Sequence, residues 1–281
     1  MRMNAGNCAI VVLVGLALTV PAAAFADSHG GDAAGEEMDS SDSRGWRFDL
    51  GAGVGVAPDY EGSEDYQAVP LLAARVQKDH YFARLQGTKL QVNVIPSATI
   101  RFGPQLNYRF ERDDVDDDKV DNLRDVDEAW EVGLFGGVRF RNVAGKRITL
   151  GADASASRDV AAGHNGWLVD LRGLVRFPIA EGWRMGLGAG GTWASSNYMD
   201  EYFSVDADNA NRSGLREFSA DSGVKDVGVD ANVDWGITEN WGLSFRGAYS
   251  RLLGDAEDSP IVDDRGSANQ FFGGVLVGYK W

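Results

Sequence analysis

The chain has 281 residues, a formal net charge of −15 and 44% hydrophobic residues. That acidity argues against nucleic acid as a partner, because such affinity rests largely on Lys and Arg against phosphates. With one cysteine, Cys8, no disulfide framework can form within the chain.

Arg2, an apolar run from Ala9 to Val20 and the A-x-A pattern Ala24-Phe25-Ala26 make residues 1–26 a predicted secretory signal peptide. Cys8 lies inside it, so no lipid anchor after a cleavage site is implied. Residues 27–45 are rich in Ser, Asp, Gly and Glu and lack aromatics, which predicts a disordered, acidic periplasmic lead-in. His29 and its acidic neighbours read as a solvated tail rather than a metal site.

From Trp46 the pattern changes. Trp46, Phe48, Leu50, Ala52, Val54 and Val56 alternate with Arg47, Asp49, Gly51, Gly53 and Gly55. Period-two alternation over eleven residues predicts a strand, and the pattern recurs down the chain. The strands fall near 46–56, 66–76, 80–86, 89–95, 98–110, 127–140, 147–158, 166–177, 183–194, 226–237, 241–251 and 271–281. The third and fourth are short. Many of the others exceed the usual five or six residues of soluble sheets, and aromatics recur near their ends. Short links alternate with long polar ones. Together these features predict an all-β fold, an antiparallel transmembrane β-barrel of about twelve strands with both termini in the periplasm. Asp49, Arg101, Arg109, Glu131, Asp153, Asp170, Arg172, Arg184, Asp226, Asp230, Asp234 and Arg246 should face the lumen.

The acidic stretch Asp113–Asp121 invites a calcium reading. An EF-hand loop counted from Asp114 would need Gly at its sixth position and Glu at its twelfth; Lys119 and Asp125 stand there instead. The stretch reads as a solvated outer loop, at most loosely neutralised by divalent ions among lipopolysaccharides. His29, His80 and His164 fall in the tail, a periplasmic turn and an outer loop, and no G-x-S-x-G surrounds a serine. An enzyme is therefore not expected, and neither a cofactor nor a metal is called for.

Three stretches together resemble the MltA-interacting protein (MipA/OmpV) family of Gram-negative outer membranes. They are Gly53–Ser63, with the P-D-Y-E-G-S loop; Ser196–Val205, continuing to Gly223–Val227; and Tyr249–Val262, leading into the terminal strand. The resemblance spans residues 46–281 and implies an exported cell outer membrane protein in contact with lipid and lipopolysaccharide. It further implies a scaffold joining a lytic murein transglycosylase to a penicillin-binding protein; a porin-like channel gated by long extracellular loops is the alternative. It carries no catalytic residue. Its candidate loop residues are Asp59, Tyr60, Gly62, Asp255, Ser259 and Pro260. They lie in outer loops, away from periplasmic enzymes, and can instead fold into the barrel mouth. The last strand should close the barrel with Phe271, Tyr279 and Trp281, the last resembling the C-terminal aromatic read by the barrel-assembly machinery.

Overall fold

The computed structural model describes residues 45–281, so the signal peptide and all of the lead-in but Gly45 lie outside the described residues. Twelve strands form one closed antiparallel barrel. They are β1 (Trp46–Pro58), β2 (Tyr66–Lys78), β3 (Tyr81–Gln86), β4 (Lys89–Asn93), β5 (Ile100–Arg109) and β6 (Ala129–Phe140). The remainder are β7 (Thr149–Asp159), β8 (Trp167–Ala180), β9 (Trp183–Ala194), β10 (Gly223–Gly236), β11 (Trp241–Leu252) and β12 (Asn269–Lys280).

Alternation sorts the side chains. Phe48, Leu50, Val54 and Val56 of β1 point outward and exposed, as do Leu134 of β6, Leu171 of β8 and Val275 and Val277 of β12. On a soluble protein this belt would be a large exposed apolar patch; on a barrel it is the lipid-facing band. Aromatics rim it at both ends. Trp183 stacks on Trp235 at 5.1 Å, and Trp241 meets Tyr279 at 4.8 Å, at one end. Tyr108 meets Trp130 at 4.9 Å, and Tyr249 meets Phe271 at 5.1 Å, at the other. These girdles and the band between them mark the fold as an outer-membrane barrel. The described residues begin and end, at Gly45 and Trp281, at the Trp183–Trp235 end, which for an outer-membrane barrel is the periplasmic one.

The barrel closes where β1 meets β12, in register from Asp49 opposite Lys280 to Val56 opposite Gly273. The backbone N–H of Trp281 adds a bond to the carbonyl of Phe48 at 3.0 Å. Phe271 and Trp281 turn outward to the girdles, while Tyr279 lies opposite Leu50 in the seam. The backbones approach closely: a Cβ on Gly53 would lie 1.9 Å from the carbonyl oxygen of Val275.

One sector of the wall is cut down. The β3–β4 hairpin turns at Gly87–Thr88, only partway to the outer rim. Gly87 N–H donates to the carbonyl of Leu72, so β2 beyond Leu72 has no strand partner on that side among the described residues. Pro70, two residues on, faces the same gap and has no N–H to leave unpaired, which is where a strand tolerates proline.

The seam gives a direct test. Gly53→Val should abolish the heat-modifiable, gel-shifted barrel form in outer membranes, whereas Gly173→Val, where a Cβ meets nothing within 4 Å, should retain it. Equal levels of folded barrel in the two variants would refute the seam geometry.

Candidate functional site

The outer loops do not trail into solvent. They fold into short helices, α1 (Asp118–Asp121), α2 (Ser196–Phe203), α3 (Ala207–Ser213), α4 (Asp255–Asp258) and α5 (Pro260–Asp263). Side-chain caps fix three of them: Asp117 accepts from the N–H groups of Lys119 and Val120, Asp206 from Asn209, and Ser259 from Ile261, with Pro260 at the first helical position. Their apolar faces meet over the barrel mouth. Tyr198, Met199, Phe203, Ala256 and Val262 bury against Val126, Leu168 and Leu252 at the strand ends. Tyr60, Val115, Val120, Leu215 and Ile261 form a second cluster beside them. Tyr198, Phe203 and Ile261 are each 0% exposed. The result is a packed cap.

All six loop residues singled out in the sequence lie in this cap. Asp59 accepts from Gln67 Nε2 at 2.8 Å and from the Asp116 N–H at 3.0 Å. Tyr60 is buried. Gly62 takes a φ of +98°, where L side chains are strained, and a Cβ there would stand 2.5 Å from Val262 Cγ2. Asp255 accepts from the Asp221 N–H at 2.7 Å, tying two long loops together. Ser259 Oγ donates to the carbonyl of Phe203 at 2.6 Å, and Pro260 is buried beside it. Their positions make them cap-building residues.

The acidic stretch at 113–121 keeps the solvated side expected of it, with Asp113, Asp114, Asp116, Asp118 and Asp121 exposed, but it is also anchored to the cap. Val115 and Val120 are buried in the cap, and Asp117 forms an ion pair with Arg265 at 2.5 Å. Burial alone would raise the Asp117 carboxyl, but Arg265 and the helix N–H groups outweigh it and hold the carboxyl low. A period-two reading could not see this, because the anchoring residues are single apolar side chains spaced among acids.

Beneath the cap lies a layer of buried charge. Lys225 Nζ donates to Glu61 and pairs with Asp226 Oδ2 at 2.6 Å; the three side chains are 6%, 7% and 3% exposed. Tyr198 Oη donates to the other Glu61 oxygen at 2.6 Å. A second group centres on Glu131, which accepts from Arg109 Nε at 2.9 Å and Asn107 Nδ2 at 3.0 Å and contacts His164 Nε2 at 3.2 Å. The Gly166 N–H donates to His164 Nδ1, which assigns the ring proton to Nε2 and directs it at Glu131. The Arg109 guanidinium lies 5.3 Å from the Tyr198 ring and 5.7 Å from that of Tyr202, linking the two groups.

Chemically the layer is a fastener. Both nitrogens of His164 are occupied, so it has none left to activate a nucleophile. Burial pushes the Tyr198 hydroxyl well up, so it stays protonated and keeps donating to Glu61. For Glu61 itself burial is opposed by Lys225 and Arg109, which together hold its carboxyl below the ordinary 4.5. A carboxyl depressed on folding stabilises above its unfolded value and loses that contribution as pH falls through the folded one.

Sequence reasoning placed Arg109, Glu131 and Asp226 in the lumen but missed Lys225, Glu61 and His164 as their partners. The signal was faint: Glu61 and Lys225 stand in the family motifs, but 164 residues apart, with no pattern to pair them.

Acidification below about pH 4.5 should therefore make residues 195–222 protease-sensitive while the barrel stays folded. Lys225→Met removes the cation held between two buried carboxylates and should destabilise the cap by about 3–5 kcal/mol at neutral pH, measured by loop proteolysis rates. Loop cleavage independent of both changes would refute the fastening role.

The family model described as MltA-interacting protein MipA matches residues 50–281. The MltA-interacting protein of Escherichia coli (strain K12) is 26% identical over 221 residues, covering 77% of this chain and 84% of that one. The putative outer membrane protein YiaT of the same organism is 32% identical over 125 residues, covering 43% and 48%. Among solved structures, the COG4313 outer membrane channel from Pseudomonas putida F1 aligns with a TM-score of 0.47 at 14% identity, covering 87% of this chain and 100% of that one. The NanC porin aligns at 0.43 and 9% identity, covering 83% and 98%. With the match running from the first strand to the last residue, the chain belongs to the MltA-interacting protein MipA family.

Proposed function

We propose that this protein is a non-catalytic outer-membrane anchor that holds a lytic murein transglycosylase, and through it a penicillin-binding protein, at the periplasmic face. The observation carrying this reading is the cap: the long loops that a channel would use as a gate bury their aromatics and ion pairs across the mouth. Family membership supports it, as does a relative named for interaction with MltA.

Among the described residues, a periplasmic partner would meet the short turns and the rim. Most of those turns are two to six residues long, but the link between β6 and β7 runs from Arg141 to Ile148. It exposes Arg141, Lys146 and Arg147, and its Asn142 and Ala144 take left-handed φ values of +53° and +54°. A basic projection on an acidic protein suits an acidic patch on a partner, which would mainly speed and orient association.

The channel alternative draws on the charged lumen, and one experiment separates the two readings. Purified lytic transglycosylase from the same organism should bind the detergent-solubilised barrel, and Arg141→Glu with Lys146→Glu and Arg147→Glu should weaken binding at least tenfold at low salt. In planar bilayers the barrel should show no discrete conductance. Stepwise conductance without transglycosylase binding would overturn the anchor reading in favour of the channel.

A further inference from the structure

The periplasmic rim divides by charge. Near the seam its exposed lysines stand beside acids. Lys280 lies opposite Asp49 in the β1–β12 ladder; Lys78 is followed by Asp79 and lies 5.5 Å from the Trp46 ring. The β6–β7 turn differs. Lys146 and Arg147 are exposed there beside Arg141, and residues 141–148 contain no acid. The neighbouring link, residues 94–99, contains none either, and its Ala98 carbonyl accepts from Arg141 Nη1 at 3.2 Å. On the other side the β8–β9 turn carries Glu181. The basic turn is held by its own backbone: Val143 N–H donates to the Ile148 carbonyl and Lys146 N–H to that of Val143, each at 3.1 Å.

The opposite charge stands in the sequence just before the barrel. Residues 27–44 carry six carboxylates, from Asp27 to Asp42, against the single guanidinium of Arg44, and seven of these 18 residues are Gly or Ser. The segment joins the fold at Gly45, at the periplasmic foot of β1. In the ring β7 is six strands from β1 in either direction, so the basic turn faces that entry point across the mouth. Twelve strands about 4.8 Å apart and tilted by about 40° make a ring on the order of 24 Å across. A Gly/Ser-rich linker of 18 residues has a root-mean-square span of about 23 Å and reaches about 60 Å when extended. A tether whose root-mean-square length matches the distance between two sites gives the highest local concentration of one at the other.

We infer that residues 27–44 act as an acidic strap that crosses the periplasmic mouth and docks on the β6–β7 turn. Opposite charge steers the contact, and salt weakens it, because exposed charges are screened over a Debye length. The strap covers the surface on which the functional reading places a partner, and in that respect it rests on that reading. It is an internal competitor that an acidic partner has to displace.

Zero-length carbodiimide cross-linking of the full mature chain, in detergent at low salt, tests the contact without any partner. Carboxylates of residues 27–42 should join Lys146 in several-fold excess over Lys78 and Lys280, which are exposed and nearer to Gly45. Sodium chloride at about 0.5 M should remove the Lys146 product. Arg147→Gln, which keeps the Lys146 amine, should lower its yield about twofold or more. Mixing isotope-labelled with unlabelled chains shows whether each product lies within one chain. Products that favour Lys78 or Lys280, spread evenly over the three lysines or join separate chains would overturn the strap. Deleting residues 27–44 should strengthen transglycosylase binding about twofold or more at low salt, with no gain when Arg141→Glu, Lys146→Glu and Arg147→Glu are combined. Unchanged affinity on deletion would overturn the competition. Cross-linking without transglycosylase binding keeps the strap and removes the partner reading; binding at the turn without the cross-link does the reverse.

Discussion

A sheet in hydrocarbon cannot have an edge. Each unpaired N–H or carbonyl there costs several kcal/mol, because lipid offers no partner. The whole molecule follows from meeting that constraint with the β1–β12 seam. The seam demands glycine where the two backbones press together at Gly53, and it sets the register that carries Asp49 to Lys280. Register in turn decides which side chains face lipid, since a slip of one residue would exchange the two faces of every strand.

The same constraint explains the local exceptions. The short β3–β4 hairpin leaves part of β2 without a strand partner among the described residues, and Pro70 stands where an N–H would otherwise project into that gap. At the outer rim the wall ends in loops, and these bury their own polar groups through caps, ion pairs and the Lys225–Glu61–Asp226 cluster. Such a cluster contributes through what it forbids: moving one loop strands a charge held by another, so the loops move together or not at all. The closed mouth and the periplasm-facing functional reading both rest on that coupling.

Much of this architecture was legible in the sequence, because a barrel writes its inside and outside in strict alternation. The expected strands at 46–56, 183–194 and 241–251 fall within a few residues of those in the fold, and Leu50, Val54 and Val56 face lipid as their spacing implies. The loops were not legible. Helices of four to eight residues give too few turns for a periodic signal, and the pairing of Glu61 with Lys225 spans 164 residues. Asp59, Tyr60, Gly62 and Ser259 stand in the family motifs, and in the fold they help to build the cap, Gly62 through its left-handed backbone. Lumen arginines such as Arg101 were placed on the correct face, but their convergence on Phe82 depends on strand stagger around the barrel, which no single strand's pattern reveals.

The central claim is that the outer loops form one packed cap, and amide hydrogen exchange on the barrel reconstituted in lipid measures it most directly. The expected result is that residues 196–203 and 255–263 exchange slowly, comparably with the upper ends of β9 and β11, and that Lys225→Met speeds both segments together. Rapid exchange of those segments in the wild-type protein, with slow exchange confined to the strands, would contradict the account.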